Sequence, residues 1–271
     1  MISILNNISS LQAENALNST QANLNKTLQQ LSTGQRINSG ADDPAGLAIA
    51  NGLEANVTAL TQSVQNASDG VGELQVADGA LSQITTLLNQ AVTIATEAAT
   101  GTVSTAQQTS LDNEFTSIKA EITSIGSSTT YNGTQVFTGT ALTVYMSDSS
   151  TSGAVNIAVT MASISATSLT LTDALTGGTA ATALGQINTA ISAVAAQRGT
   201  LGATSNQLQA ASNVMNSQIT NVQNAESGIM DADIGQTTAN LSKFTILQQT
   251  GIAALQQSTQ MSQSVLKLLQ G

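Results

Sequence analysis

The 271-residue chain has no cysteine, no histidine and no tryptophan, a single proline, and only six basic residues. Each absence narrows what the molecule can do. Without histidine or cysteine it lacks the commonest general base, the commonest zinc ligands and any thiol nucleophile, so most catalytic constellations are excluded. A cysteine-free chain also tolerates any redox compartment, so disulfide usage says nothing about location. Six Lys and Arg against 16 Asp and Glu give a net charge of −10, which leaves no basic patch for nucleic acid or an anionic membrane. With aromatics at 2% of residues, any core must be aliphatic. No apolar run approaches the about 20 residues that span a bilayer. The start, Met1-Ile2-Ser3-Ile4-Leu5-Asn6-Asn7, has neither the basic stretch nor the unbroken apolar run of a cleaved signal peptide, so none is expected.

What fills the chain is Ala, Ser, Thr, Asn and Gln, with 8% charged residues. Ordinary surface helices carry charge on their outer face. Helices clad in small uncharged groups desolvate cheaply, which suits burial against copies of the same chain. Periodicity supports this. Leu53, Leu60, Ala67, Leu74, Leu81, Leu88 and Ala95 recur every seven residues, which predicts one long helix. Val57, Val64 and Val71 accompany them; beyond Leu74 the companion position moves by one, to Ala77, Ile84, Ala91 and Ala98, with Gly70, Gly72 and Gly79 nearby. Roughly 60 Å of such helix needs an equally long partner. Ile187, Val194, Leu201, Leu208, Met215 and Val222, again seven apart, provide it. Leu111, Phe115, Ile118, Ile122 and Ile125 mark a shorter third helix, enough for a bundle.

Between about 131 and 182 the character changes. Leu142, Val144 and Met146 alternate with polar neighbours, as do Val155, Ile157, Val159 and Met161, which predicts a hairpin or small sheet turning at Ser147 to Gly153. Asn132-Gly133 and Gly177-Gly178 punctuate its ends. The outermost segments are amphipathic again: Ile4, Ile8, Leu11, Leu24, Leu28 and Leu31 at the start; Leu247, Ala254, Met261, Val265 and Leu268 at the end. Having no core of their own, these helices gain the burial they lack by packing on other subunits, so their ordering is coupled to polymerisation.

Leu31-Ser32-Thr33-Gly34-Gln35-Arg36-Ile37-Asn38-Ser39, followed by Asp42-Asp43-Pro44-Ala45-Gly46-Leu47-Ala48-Ile49, resembles the N-terminal signature of the bacterial flagellins. Asn66 to Gly70, Asp78 to Leu81, Tyr131-Asn132-Gly133, Arg198 to Ala203, Asp231-Ala232-Asp233 and Leu247 to Gly251 continue the likeness. It covers about residues 1 to 138 and 184 to 271, a short form with a reduced central region. Physically, Asp43 before Pro44 reads as an N-cap ahead of a first-turn proline.

The resemblance implies a structural subunit of the extracellular flagellar filament, serving motility. Residues 1–44 and 234–271 would form inner coiled-coil terminal helices and 45–233 an outer helical bundle that includes the β region. It further implies as partners other copies of the chain, hook-associated and filament cap proteins, a cytoplasmic export chaperone on the C-terminal helix, and a flagellar type III export apparatus. The fold expected is mainly α, a long antiparallel coiled-coil rod with a small central β-hairpin. The alternatives are a hook-filament junction protein and a soluble secreted coiled-coil adhesin.

No catalytic residue, cofactor or metal is expected. The zinc-protease motif of some flagellin middles requires histidine, and Asp231 with Asp233 suits a helix terminus better than a cation site. Self-assembly is assigned to Ile4, Ile8, Leu11, Leu24, Leu28, Leu31, Leu247, Ala254, Met261, Val265 and Leu268. Arg36, Asn38, Asp42 and Asp43 make either intersubunit contacts or a local pair that orders the loop. In the family, the helix bearing Leu88, Asn89, Gln90 and Thr93 resembles a surface read by an innate immune receptor. Arginines found there in other members are replaced by Gln90 and Thr93, so weak activation is expected. The Ser and Thr between Thr138 and Thr182 form either a glycosylated face or plain solvent-facing strands.

Overall fold

The computed structural model describes residues 8–148, 155–176 and 178–270; within the last helix, the side chains of Ser262 and of residues 265–270 are not described. The described residues form α1 (Ile8–Thr33), α2 (Pro44–Ala98), α3 (Thr105–Ser128), β1 (Thr130–Tyr131), β2 (Thr134–Gln135), β3 (Ala141–Met146), β4 (Val155–Thr160), α4 (Ala180–Met230) and α5 (Ile234–Gln270). They fall into two compact units, Ala55–Asn221, and Met1–Glu54 with Val222–Gly271.

In Ala55–Asn221 the heptad of α2 is buried as expected at Leu60, Ala67, Leu74, Leu81, Leu88 and Ala95. Its companion position, however, does not shift at Leu74. It runs unbroken through Ser63, Gly70, Ala77, Ile84, Ala91 and Ala98, while Val64 and Val71 pack half-buried at the flank. The first two members are small for a physical reason: the hairpin of β3 and β4 lies on them. A Cβ on Gly70 would come within 2.6 Å of Val144 Cγ2. The Ser63 hydroxyl donates to the Ser147 carbonyl at 3.0 Å and accepts from the Ser147 amide at 2.8 Å. Gly72 similarly admits the Tyr131 hydroxyl.

α4 matches α2 with Ala183, Ile187, Ala190, Val194, Leu201 and Leu208 buried, and α3 adds Phe115, Ile118 and Ile122. Ser104 and Gln107 start α3 with a reciprocal capping box, which satisfies two first-turn donors. Arg198 of α4 holds Asp78 of α2 through two bonds, 2.7 and 3.2 Å, which raises the guanidinium pKa further. Both ends of this pair are partly exposed, so it aligns the helices more than it stabilises them.

β3 and β4 pair antiparallel with Val144 opposite Ile157 and Leu142 opposite Val159. Val144, Met146, Ile157 and Val159 face the core. Asn132 (φ 47°) and Gly133 (φ 78°) form the left-handed two-residue turn between β1 and β2. The turn expected at Ser147 to Gly153 lies outside the described residues from 149 onward.

A strap with no regular structure, from Met161 to Leu175, buries Ile164, Leu169 and Leu171. The Asp112 carboxylate anchors it by accepting from the Leu175 amide at 2.7 Å. It crosses α3 where Gly126 leaves no room for a side chain, since a Cβ there would sit 2.1 Å from the Ile164 carbonyl oxygen.

Gly126→Ala should therefore destabilise the subunit by about 1–3 kcal/mol, the usual range for overpacking. Gly199→Ala, where a Cβ meets open space, should stabilise it by about 0.5–1 kcal/mol. Thermal melting of the unassembled chain by circular dichroism reads both; equal shifts of one sign would contradict this account.

Candidate functional site

In the unit formed by Met1–Glu54 and Val222–Gly271, two connectors meet. Gly34 turns the chain out of α1 at φ 72°. Gln35 then bridges to Asp231, flanked by Arg36 N to Met230 O at 2.6 Å and Ala232 N to Gly34 O at 2.9 Å. The Arg36 guanidinium does not pair with Asp42 or Asp43; its Nη2 donates to the Ile229 carbonyl at 2.6 Å. A cation suits that oxygen, one of the last carbonyls of α4, which lack partners within the helix.

Asp42 is claimed by Lys26 of α1 instead, at 2.8 Å. Its other oxygen accepts from the Asn38 amide at 3.2 Å, and from the Ser39 amide and hydroxyl, each at 3.1 Å. Lys26 first, then these donors, hold the Asp42 carboxyl at about 2 against an ordinary 3.8. Lys26 carried no periodic signal; only its scarcity as a cation hinted at a role. Asp43 caps α2, accepting from Gly46 N at 2.9 Å. Asp233 caps α5 in the same way, from Gln236 N at 3.1 Å.

α1 and α5 pack antiparallel along a seam of alternating three- and four-residue steps. On α1 the covered positions are Ser10, Ala13, Leu17, Thr20, Leu24, Thr27 and Leu31; on α5 they are Thr237, Leu241, Phe244, Gln248, Gly251, Leu255 and Ser258. Ser10 bonds Ser258 at 2.8 Å, Gln248 donates to Gln21 at 2.6 Å, and Gly251 lies under Leu17. Most of the seam is small or polar. A second set of large aliphatics points away from it: Ile8 is 62% exposed, Leu11 59%, Ile246 59% and Met261 61%. Leu28, Leu247, Ile252 and Ala254 are exposed as well. Of the expected assembly residues, then, Leu24 and Leu31 lie in the seam inside the chain. Ile8, Leu11, Leu28, Leu247, Ala254 and Met261 face outward. Ile4 lies outside the described residues, as do the side chains of Val265 and Leu268.

In the other unit, Asn89, Gln90 and Thr93 are exposed on α2, and Gln90 donates to Glu114 of α3 at 3.3 Å. Leu88 is fully buried in the core, so it presents no surface to any receptor. Among the described residues no acidic cluster is suited to a metal, and no helix is long and apolar enough to cross a membrane.

Residues 4–142 match the bacterial flagellin N-terminal helical region, and residues 184–269 the C-terminal helical region. A flagellin of Halalkalibacterium halodurans is 32% identical over 265 residues, 96% of this chain and 97% of that one. The chain belongs to the bacterial flagellin family. The flagellar filament 33 kDa core protein of Treponema phagedenis is 30% identical over 98% of this flagellin and 99% of its own length. The crystal structure of Bacillus cereus flagellin aligns with a TM-score of 0.49 at 30% identity, over 60% of this chain and 94% of that one. As a flagellin, the protein is a structural, self-polymerising subunit of the extracellular flagellar filament.

Because folding lowers the Asp42 pKa, its contacts contribute stability fully above 3.8 and lose it as pH falls through about 2. Asp42→Asn should lower hydrogen-exchange protection of the Asn38 and Ser39 amides at neutral pH. The gap to the native chain should close toward pH 2. Protection that ignores the substitution would contradict the assignment.

Proposed function

We propose that polymerisation is carried by the outward faces of α1 and α5, with Ile8, Leu11, Leu28, Leu247, Ala254 and Met261 packing on neighbouring copies. The sequence spacing assigns Ile4, Val265 and Leu268 to the same role. The observation that carries this reading is the split of the terminal pair: its own seam mixes Leu17, Leu24, Leu31, Leu241, Phe244 and Leu255 with serine, threonine, glutamine and glycine, while Ile8, Leu11, Leu28, Ile246, Leu247, Ile252 and Met261 are left outside. A helix pair with that distribution covers only part of its apolar surface by pairing alone. It gains most of its burial when other subunits cover it, at about 25 cal/mol per Å2 of apolar surface removed from water.

The filament acts without catalysis, as a mechanical propeller. Its finer partners follow from the family: hook-associated and cap proteins at the filament ends, a type III apparatus for export without a cleaved signal, and a chaperone. The exposed stripe of Leu247, Ala254 and Met261 is the surface such a chaperone would cover before assembly. Arg36 and Asp42, whose bonds are satisfied within the chain, order the connecting loop; Asn38 and Asp43 share that role. Asn89, Gln90 and Thr93 form the exposed part of the receptor-like helix, and their lack of charge supports weak receptor activation.

Leu247→Asp together with Ile252→Asp should abolish filaments formed on salting out, raising the critical concentration at least tenfold, the equivalent of roughly 1.4 kcal/mol. The main melting transition of the unassembled chain should stay in place. Electron microscopy and sedimentation decide it; normal filaments from the double variant would move assembly to another surface.

A further inference from the structure

We propose that Gln21 and Gln248 hold the terminal helices in register along their length: the Gln35–Asp231 bridge aligns α1 with α5 at their connected ends, and the glutamine bond keeps that antiparallel alignment, against others spaced seven residues apart, in the stretch beyond it. This rests on the terminal helices carrying assembly, as above, and adds which residues choose the alignment.

The need for such a pair lies in the repeat itself. Leu17, Leu24 and Leu31 on α1 are seven apart, and α5 offers Leu241 and Leu255 two heptads apart with Gln248 between them. Sliding one helix by a heptad sets leucine near leucine again, so aliphatic packing discriminates poorly between registers. The glutamines discriminate well. In the observed alignment Gln248 Nε2 donates to Gln21 Oε1 at 2.6 Å across the partly buried seam. A slip of seven puts Gln21 against Leu241 with Gln248 near Glu14, or Gln21 against Leu255 with Gln248 near Leu28, so the amide pair is lost and Gln21 is left facing leucine in a part-buried seam.

Two further features share this register. Ser10 meets Ser258 at 2.8 Å, eleven residues before Gln21 on α1 and ten beyond Gln248 on α5. Between them Leu17 fills the space over Gly251, where a Cβ would lie 3.3 Å from Leu17 Cδ1. A slip would set Leu17 against Phe244 or Ser258 and forfeit that fit. The register in turn fixes how Ile8, Leu11 and Leu28 on one helix line up with Leu247, Ile252 and Met261 on the other. The combined outward face offered to the next subunit thus has one pattern rather than several.

The test compares full-length variants polymerised side by side, reading critical concentration by sedimentation and lattice by electron microscopy. Gln21→Leu alone should raise the critical concentration about fivefold or more, because Gln248 is left facing leucine. Gln21→Leu with Gln248→Leu should polymerise at or below the native concentration yet give filaments of mixed helical lattice. Gln21→Glu should assemble poorly, and adding Gln248→Lys should restore a single lattice. A double-leucine variant with the same single lattice as the native chain, or no rescue by the Glu and Lys pair, would overturn the proposal while leaving the terminal-helix reading intact. A native chain that forms no filaments would overturn both.

Discussion

Residues almost two hundred positions apart are tied together where Gly34, Gln35 and Arg36 run beside Met230, Asp231 and Ala232. The terminal pair depends on that short antiparallel pairing. It brings α1 and α5 to one place, and neither helix could find its partner cheaply otherwise, since closing so long a loop costs entropy that a weak seam would not repay. The connectors are accordingly heavily bonded. Gly34 supplies the left-handed turn, Arg36 caps a helix carbonyl, Lys26 grips Asp42, and Asp43 and Asp233 start the helices on either side. Charge is scarce in this chain, and a large share of it is spent here.

The two heptad seams are built on opposite principles. In Ala55–Asn221 the repeat buries leucine, isoleucine and alanine, with glycine and serine only where a hairpin or strap presses in. That unit completes its core within one subunit. Between α1 and α5 the same spacing intersperses leucine with hydroxyls, an amide and a glycine, and a second set of aliphatics is turned out. One seam therefore stabilises a fold, whereas the other organises a surface.

This difference explains what could be read in advance. Period seven is blind to which face the rest of the chain covers. On α2 it located the helix and its principal stripe, but it named Val57, Val64 and Val71 as companions because Ser63 and Gly70 look like surface residues until Val144 and Ser147 are seen lying on them. On α5 the conspicuous spacing of Leu247, Ala254 and Met261 belongs to the outward face. The inward one is legible only by noticing that Gln248 interrupts Leu241 and Leu255 at the same interval. The hairpin was plain from alternation, because two-residue periodicity survives in Leu142 to Met146 and Val155 to Met161. The Lys26 to Asp42 bond was not, as nothing local links a residue within a helix to a loop sixteen positions on.

Every cation whose side chain is described is already occupied within its own chain. Lys26 holds Asp42, Arg198 holds Asp78, Arg36 serves a carbonyl, and Lys119 and Lys243 lie over the rings of Phe115 and Phe244. The chain's net charge of −10 is thus offered to neighbours with little positive charge to answer it. Copies approaching one another meet as polyanions. Their long-range repulsion fades only when dissolved ions shorten its reach to about 8 Å at physiological strength, so the surrounding electrolyte becomes a working component of the polymer, keeping subunits apart when dilute and letting their aliphatic faces touch when concentrated.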